Sequence, residues 1–262
     1  MKIALVHDYI KEFGGAERVL RVLSDMYPKA PIFTAFRLKG SSCDLAFGDR
    51  KIVESRWAAL IKYGNLYSPL RFLLPLIWRS VDLRGYDLVI TSCSSYIARG
   101  FRVDDGATVI AYCHTPPRNL YGYETSVHLM KYWIVRVYAT VVNHFLRIFD
   151  LWSAGRVDKW IANSQNVAGR IWKFYRKEAE VIYPPVEVEN LIKESEGVEK
   201  GDYFLIVSRL VGAKGLVESA KAASHLGFKL KIVGEAVGFS NVKVELEKYK
   251  EVELEGRVDD RE

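Results

Sequence analysis

The sequence predicts an α/β protein with a mostly parallel sheet wrapped by helices. Three observations predict it. Short apolar runs of strand length recur along the chain, and longer stretches with helical spacing stand between several of them. The opening of strand, loop and helix also occurs twice, near Ile3 and near Tyr203. With 262 residues, 49% of them hydrophobic and 27% charged, the chain is globular and can hold one large domain or two smaller ones.

Residues 3–7 form the first apolar run, which breaks at Gly14-Gly15; Ala16, Val19, Leu20, Val22 and Leu23 follow at helical spacing. Further strand-length runs lie at 31–35, 87–91, 108–113, 159–162 and 180–183. Tyr183-Pro184-Pro185-Val186 closes this unit, because proline fixes φ and bars the residue before it from helix. A first domain is therefore expected over 1–186. The stretch 187–201 is rich in Glu and Lys and poor in large apolar residues, and reads as a linker. A partial second domain is expected over 202–262, with strands at 203–208, 229–233 and 252–254 and a helix at 216–226. Too few residues follow Lys214 to finish a doubly wound domain of ordinary size, so this unit is expected to expose apolar surface.

Two segments of the first domain stand apart. Residues 57–81 mix Trp57, Leu60, Ile61, Tyr63, Leu66, Tyr67, Phe72, Leu73, Leu74, Ile77 and Trp78 with Arg56, Lys62, Arg71 and Arg79. They read as an amphipathic helix, packed on the sheet or laid on an anionic membrane surface with Trp57, Leu73 and Trp78 in the interface. Residues 127–152 are apolar nearly all round, the pattern of a buried core helix.

The net charge of +6 favours anionic ligands. Nucleic acid has only this charge in its favour, since no recognition-helix, zinc or RNP-type signal accompanies it. Cys43, Cys93 and Cys113 are an odd, scattered set that suggests neither a disulfide framework nor a zinc site, and a reducing interior is expected. Strand-like residues begin at Lys2-Ile3, leaving no room for a signal peptide, and the apolar stretches are interrupted by Arg71, Pro75 and Arg79 or by Arg136, His144 and Arg147. The expected location is the cytoplasm, with peripheral docking on the inner face of the cell membrane.

The residues suited to chemistry cluster at predicted strand ends. Arg209 and Lys214 stand between a buried strand and the mouth of a helix, where open α/β sheets bind ligands and a helix start adds partial positive charge; a diphosphate fits there. Gly14-Gly15 opens the first helix, either because a loop needs positive φ or because a ligand approaches the backbone. This is not Gly-x-Gly-x-x-Gly, so the dinucleotide fingerprint is absent. His114 ends a predicted central strand before Pro116-Pro117, and either holds the loop or donates a hydrogen bond to a sugar hydroxyl. His7-Asp8 ends the first strand in the same way. The spacing assembles no Ser-His-Asp set and no metal site.

Taken in order, Gly14-Gly15-Ala16-Glu17, Tyr86-Asp87-Leu88-Val89-Ile90, Tyr112-Cys113-His114-Thr115-Pro116, Ala162-Asn163-Ser164, Val181-Ile182-Tyr183-Pro184-Pro185-Val186, Ser208-Arg209-Leu210 to Lys214-Gly215, and Val233-Gly234-Glu235 resemble glycosyltransferase family 4, most closely its mannosyltransferase-like members. The resemblance implies a GT-B fold, a complete N-terminal Rossmann-like domain and a C-terminal one facing each other over a cleft. It implies a retaining, metal-independent hexosyl transfer to a lipid-linked or polysaccharide acceptor, with a nucleotide-diphosphate sugar as co-substrate and no cofactor. By the same resemblance Arg209 and Lys214 hold the diphosphate, Gly14 and Gly15 lie under the phosphate and donor sugar, His114 bonds the transferred sugar, and Gly234 and Glu235 border the base. Fixed cations suit this chemistry because the leaving diphosphate gains negative charge as the glycosidic bond breaks.

The family pattern also contains a later Glu-x₇-Glu motif that this sequence lacks, and Val211-Gly212-Ala213 replaces a proline-containing turn. The donor site is thus expected to be incomplete, as in an incomplete or truncated product or in a split protein whose remainder is a separate chain. The alternatives are a non-catalytic remnant or subunit that binds acceptor or partner, and a nucleotide-sugar epimerase on the same fold.

Overall fold

A computed structural model describes residues 1–62, 66, 68–123, 132–236 and 241–258. The chain divides into two compact units, Met1–Tyr123 with Tyr138–Pro185, and Val186–Glu262 with Glu124–Val137.

Along residues 1–185 the chain alternates strand and helix: β1 (Ile3–His7), α1 (Gly15–Met26), β2 (Ile32–Thr34), α2 (Ser42–Ala46), β3 (Ile52–Glu54), α3 (Ala58–Lys62), α4 (Leu74–Arg79), β4 (Leu88–Cys93), β5 (Thr108–Cys113), α5 (Trp133–Ala154), β6 (Lys159–Ala162), α6 (Gln165–Tyr175) and β7 (Ala179–Val181). The strands form one parallel sheet in the order β3-β2-β1-β4-β5-β6-β7. Both faces are covered: Ala4 and Val6 of β1 pack into one buried cluster while Leu5, between them, packs into another. The short β3 has no counterpart in the sequence reading, and β7 begins at Ala179, one residue before the expected run.

The order reverses direction between β1 and β4, so the crevice beyond their C-terminal ends is the switch point of the sheet. Register puts His7 opposite Ser92, and Cys93 opposite Cys113, the residue before His114. Topology therefore delivers His7, Ser92 and His114 to one edge.

Residues 57–81 do not form a single amphipathic helix. Helix α3 ends at Lys62, and after a 3₁₀ turn at Arg71–Leu73 the chain restarts as α4, with Pro75 in its first turn where a missing N–H is harmless. Trp78 is fully buried and donates its indole N–H to the Tyr96 carbonyl at 2.8 Å, so it cannot enter a bilayer. Arg71 turns inward to the Ser95 carbonyl (2.6 Å) and the Asn119 side chain (3.1 Å). Tyr63 and Tyr67 lie outside the described residues.

Helix α5 corrects the sequence reading in the other direction. Only Leu146, Phe149, Asp150, Ser153 and Ala154 are buried, while Val141, Phe145, Ile148 and Leu151 are 53–65% exposed. A helix lying on a sheet offers it one stripe, and apolarity of the remaining faces does not bury them. The expected run at 127–131 lies outside the described residues. The buried stripe is anchored by Asp150, which pairs with Arg99 and accepts from the hydroxyls of Tyr121 (2.7 Å) and Tyr175 (2.8 Å). Among the described residues no helix is long and apolar enough to cross a membrane. The three cysteines are free and buried.

The second unit contains α7 (Val188–Ser195), which lies within the stretch read as linker, then β8 (Phe204–Val207), α8 (Leu216–Leu226), β9 (Leu230–Val233), α9 (Val242–Leu246) and β10 (Val252–Gly256). The three strands pair in parallel in the order β10-β9-β8. Leu216, Ala220, Ala223, Leu230, Ile232, Val242 and Leu246 make its core. Phe204, Leu205 and Val207 of β8 are exposed, so the strand before Arg209 is not the buried one that the sequence suggests; it stands at the edge of this three-stranded sheet.

Candidate functional site

The first unit gathers a chain of four polar side chains at its switch point. Glu17 is in the first turn of α1, and one of its carboxylate oxygens accepts the Gly14 N–H at 3.0 Å, which satisfies an otherwise orphaned donor at the helix start. Its other oxygen lies 3.3 Å from Nε2 of His7. Nδ1 of His7 lies 3.1 Å from Oγ of Ser92, and that same Oγ lies 2.8 Å from Nε2 of His114. Burial would raise the Glu17 carboxyl, but the hydrogen bond and charge of His7 and the Gly14 N–H hold it below its ordinary value. Burial, reinforced by the nearby charge of His7, pushes His114 down to about 4. His114 is thus neutral near pH 7, able to give or take one hydrogen bond at each nitrogen.

The loop carrying His114 is fixed from behind. Its main-chain N–H bonds the Cys93 carbonyl at 3.0 Å, and its carbonyl accepts from the Asn163 side chain at 3.0 Å. Ser164 caps α6 by accepting from the Val167 N–H, and Arg170 of that helix donates to Thr115 at 3.2 Å. The residue triple 162–164 therefore positions His114 rather than touching the switch-point relay itself.

Asp8 has a different task from that of His7. Its two oxygens accept the backbone N–H groups of Ser94 (3.1 Å), Tyr96 (3.0 Å) and Ala98 (3.1 Å), and burial raises its carboxyl despite these bonds and the charge of His7. This clamp holds the turn in which Ile97, a β-branched residue, sits at φ 54°. Arg71 bonds to the same turn through the Ser95 carbonyl, and among the described residues no carboxylate forms an ion pair with it.

Gly14 and Gly15 are not required by positive φ: Gly14 has φ −131°, and Gly15 starts the helix. A Cβ on Gly15 would meet no protein atom within 4 Å. The fold does not demand glycine at 15.

In the second unit the expected residues converge at the C-terminal edge of the small sheet. Ser208-Arg209-Leu210 runs beside Gly234-Glu235-Ala236, with the Ser208 N–H on the Val233 carbonyl and the Leu210 N–H on the Glu235 carbonyl, both at 2.9 Å. Lys214 ends a 3₁₀ turn, Gly215 follows at φ 66°, and α8 begins there. Arg209 and Lys214 are both exposed. Two cations, a helix start and a glycine-lined strand end make this edge suitable for a diphosphate. Gly234 itself has φ 144° and lies against the Ser208 carbonyl.

Ser92 was not singled out in the sequence, and Glu17 entered only as part of a motif. A strand-end hydroxyl in Thr91-Ser92-Cys93 gives no signal until the sheet order puts β4 between β1 and β5.

The family model described as Glycosyltransferase Family 4 matches residues 13–190. No curated protein sequence matches the chain. Among solved structures, Anabaena Alr3699/HepE in complex with UDP and glucose superposes with a TM-score of 0.56 at 15% identity, covering 99% of this chain and 70% of that one. The same Anabaena protein in complex with UDP-glucose gives 0.57 at 13% identity with the same coverage. At such identities the likeness is one of fold.

Proposed function

The chain belongs to glycosyltransferase family 4, and on that premise we propose that it moves a hexose, mannose or glucose, from a nucleotide-diphosphate sugar to a lipid-linked or polysaccharide acceptor with retention. The observation that supports this most is the gathering of Arg209, Lys214, Gly234 and Glu235 at one strand edge of the second unit. Arg209 and Lys214 take the diphosphate and stabilise the charge that develops on it as the glycosidic bond breaks. Gly234 and Glu235 border the base. In the first unit Gly14 and Gly15 admit the donor to the start of α1, His114 bonds the transferred sugar, and Arg71, beside the same sheet edge, suits a phosphate of a lipid-linked acceptor.

The Anabaena neighbour was solved with UDP and with UDP-glucose, so uridine donors come first in the test. Calorimetry with UDP, GDP and their glucose and mannose conjugates checks the reading. Saturable binding of at least one nucleotide sugar is expected, and heat from none of them would sink it. Binding without turnover would instead favour the alternative, a non-catalytic subunit whose exposed β8 residues Phe204, Leu205 and Val207 pair with a separate chain.

Peripheral docking on an anionic membrane has one observation in its favour, and it concerns α5 rather than residues 57–81. Val141, Phe145, Ile148 and Leu151 form an exposed stripe, α5 carries no exposed carboxylate, and Arg79 and Arg156 lie 5.2 and 5.3 Å from the ring of Trp152. An apolar stripe bordered by Arg and Trp fits an interface rich in anionic headgroups.

A further inference from the structure

Oγ of Ser92 stands between two imidazoles, 3.1 Å from Nδ1 of His7 and 2.8 Å from Nε2 of His114. A hydroxyl has one proton to give. Among the described residues no other acceptor faces this hydroxyl, so it donates to His7 and accepts from His114, or it accepts from His7 and donates to His114. The surroundings of His7 decide between these two directions.

Nε2 of His7 faces the Glu17 carboxylate at 3.3 Å, and its Nδ1 faces the Ser92 main-chain carbonyl at 3.2 Å as well as the hydroxyl. Carboxylate and carbonyl oxygens only accept, so Nδ1 of His7, which faces the carbonyl in a site where the ring is 2% exposed, is a donor toward Ser92. Nδ1–H of His7 then points at the oxygen of Ser92, whose own proton is left for Nε2 of His114. A nitrogen that accepts carries no hydrogen, so the proton of neutral His114 is on Nδ1.

We propose that Glu17, His7 and Ser92 are positioning residues that hold His114 as its Nδ1–H tautomer, so that the nitrogen free to meet a ligand is a hydrogen-bond donor. No described residue bonds Nδ1 of His114, which leaves that donor for a hydroxyl or other oxygen of a substrate. The other titratable groups packed around the relay do not supply a competing proton. Asp8, next to His7 on β1, gives its oxygens to backbone N–H groups of residues 94–98. The Tyr112 hydroxyl, on β5, donates away to the Ile182 carbonyl at 2.8 Å. Cys43, on α2, has its thiol pushed up to about 12 by burial and by the charge of Glu17, and stays neutral. The tautomer follows from the relay alone; only its use on a sugar hydroxyl rests on the glycosyl-transfer reading.

The test reads the imidazole nitrogens directly, by two-bond ¹H–¹⁵N correlation on the ¹⁵N-labelled protein at pH 7, with His7→Gln and His114→Gln used for assignment. Wild type is expected to show His114 protonated on Nδ1 only. Glu17→Gln takes away the carboxylate that faces Nε2 of His7, the Ser92 hydroxyl turns round, and His114 changes to the Nε2–H form. In Ser92→Ala, His114 loses its fixed donor and also goes over to Nε2–H. An Nε2–H His114 in wild type overturns the proposal without any variant. So does an Nδ1–H His114 that survives both substitutions. A His114 in the proposed tautomer, in a protein that binds no nucleotide sugar, would leave the relay standing and remove its sugar-binding purpose.

Discussion

The carbonyl oxygen of Ser208 occupies the space that a side chain on residue 234 would need, 2.0 Å from where a Cβ on Gly234 would be. The contact joins the ends of β8 and β9 at the edge that presents Arg209, so glycine at 234 is a condition for bringing the two strand ends together. Gly234→Ala must also hold alanine at φ 144°. Its strain is expected to cost at least about 2 kcal/mol, expressed as unfolding of the second unit. Hydrogen exchange that leaves 203–236 as protected as in wild type would contradict this.

Arg209→Ala and Lys214→Ala are each expected to weaken nucleoside diphosphate binding by roughly ten- to a hundredfold, the worth of a charge-assisted hydrogen bond. Calorimetry with the diphosphate measures it. Unchanged affinity in both variants would move the phosphate site elsewhere.

His114 gives stability a pH dependence of definite sign. Its folded value of about 4 lies below the ordinary 6.5, so the unfolded chain takes up this proton first as pH falls. Its effect is nil above about pH 6.5, and it destabilises the fold progressively down to about pH 4, by up to about 3 kcal/mol. Urea unfolding of wild type and His114→Asn at pH 7, 5.5 and 4.5 should show the variant gaining relative stability as pH drops. A constant difference between them would refute the assignment.

Asp150 offers a structural control. It is fully buried, paired to Arg99 and bonded by two tyrosine hydroxyls, and Arg99 is 2% exposed. Asp150→Ala leaves the guanidinium buried without its counter-charge and is expected to destabilise the first unit by about 3–5 kcal/mol. Denaturant midpoints check this, and a loss under about 1 kcal/mol would mean that the pair is dispensable.

Membrane docking is expected to depend on α5. Co-sedimentation with anionic vesicles should fall with added salt and with Phe145→Asp, which puts a carboxylate in the exposed stripe. Trp78→Phe should leave vesicle binding intact, because that side chain is fully buried. No binding at low salt ends the membrane reading.

The sequence by itself determined the alternation of strands and helices, the first strand at 3–7, the strands at 108–113 and 159–162, and the helix at 216–226, each reproduced at those bounds. It could do so because apolar spacing and glycine or proline breaks are local properties of the chain. The strand-end places of Arg209 and His114 were legible for the same reason, since each stands just past an apolar run, and Lys214 was placed by the helix that opens after it. What only the tertiary structure decided was neighbourhood. Glu17, His7, Ser92 and His114 come from four separate elements, and they meet because the sheet runs β1-β4-β5, an order that no local pattern records. Exposure was likewise hidden: Trp78 and Phe145 lie in equally apolar stretches, yet one is buried against Tyr96 and the other faces solvent. Hydrophobic free energy rewards burial wherever the fold makes room for it, and room is a property of packed layers rather than of the residue.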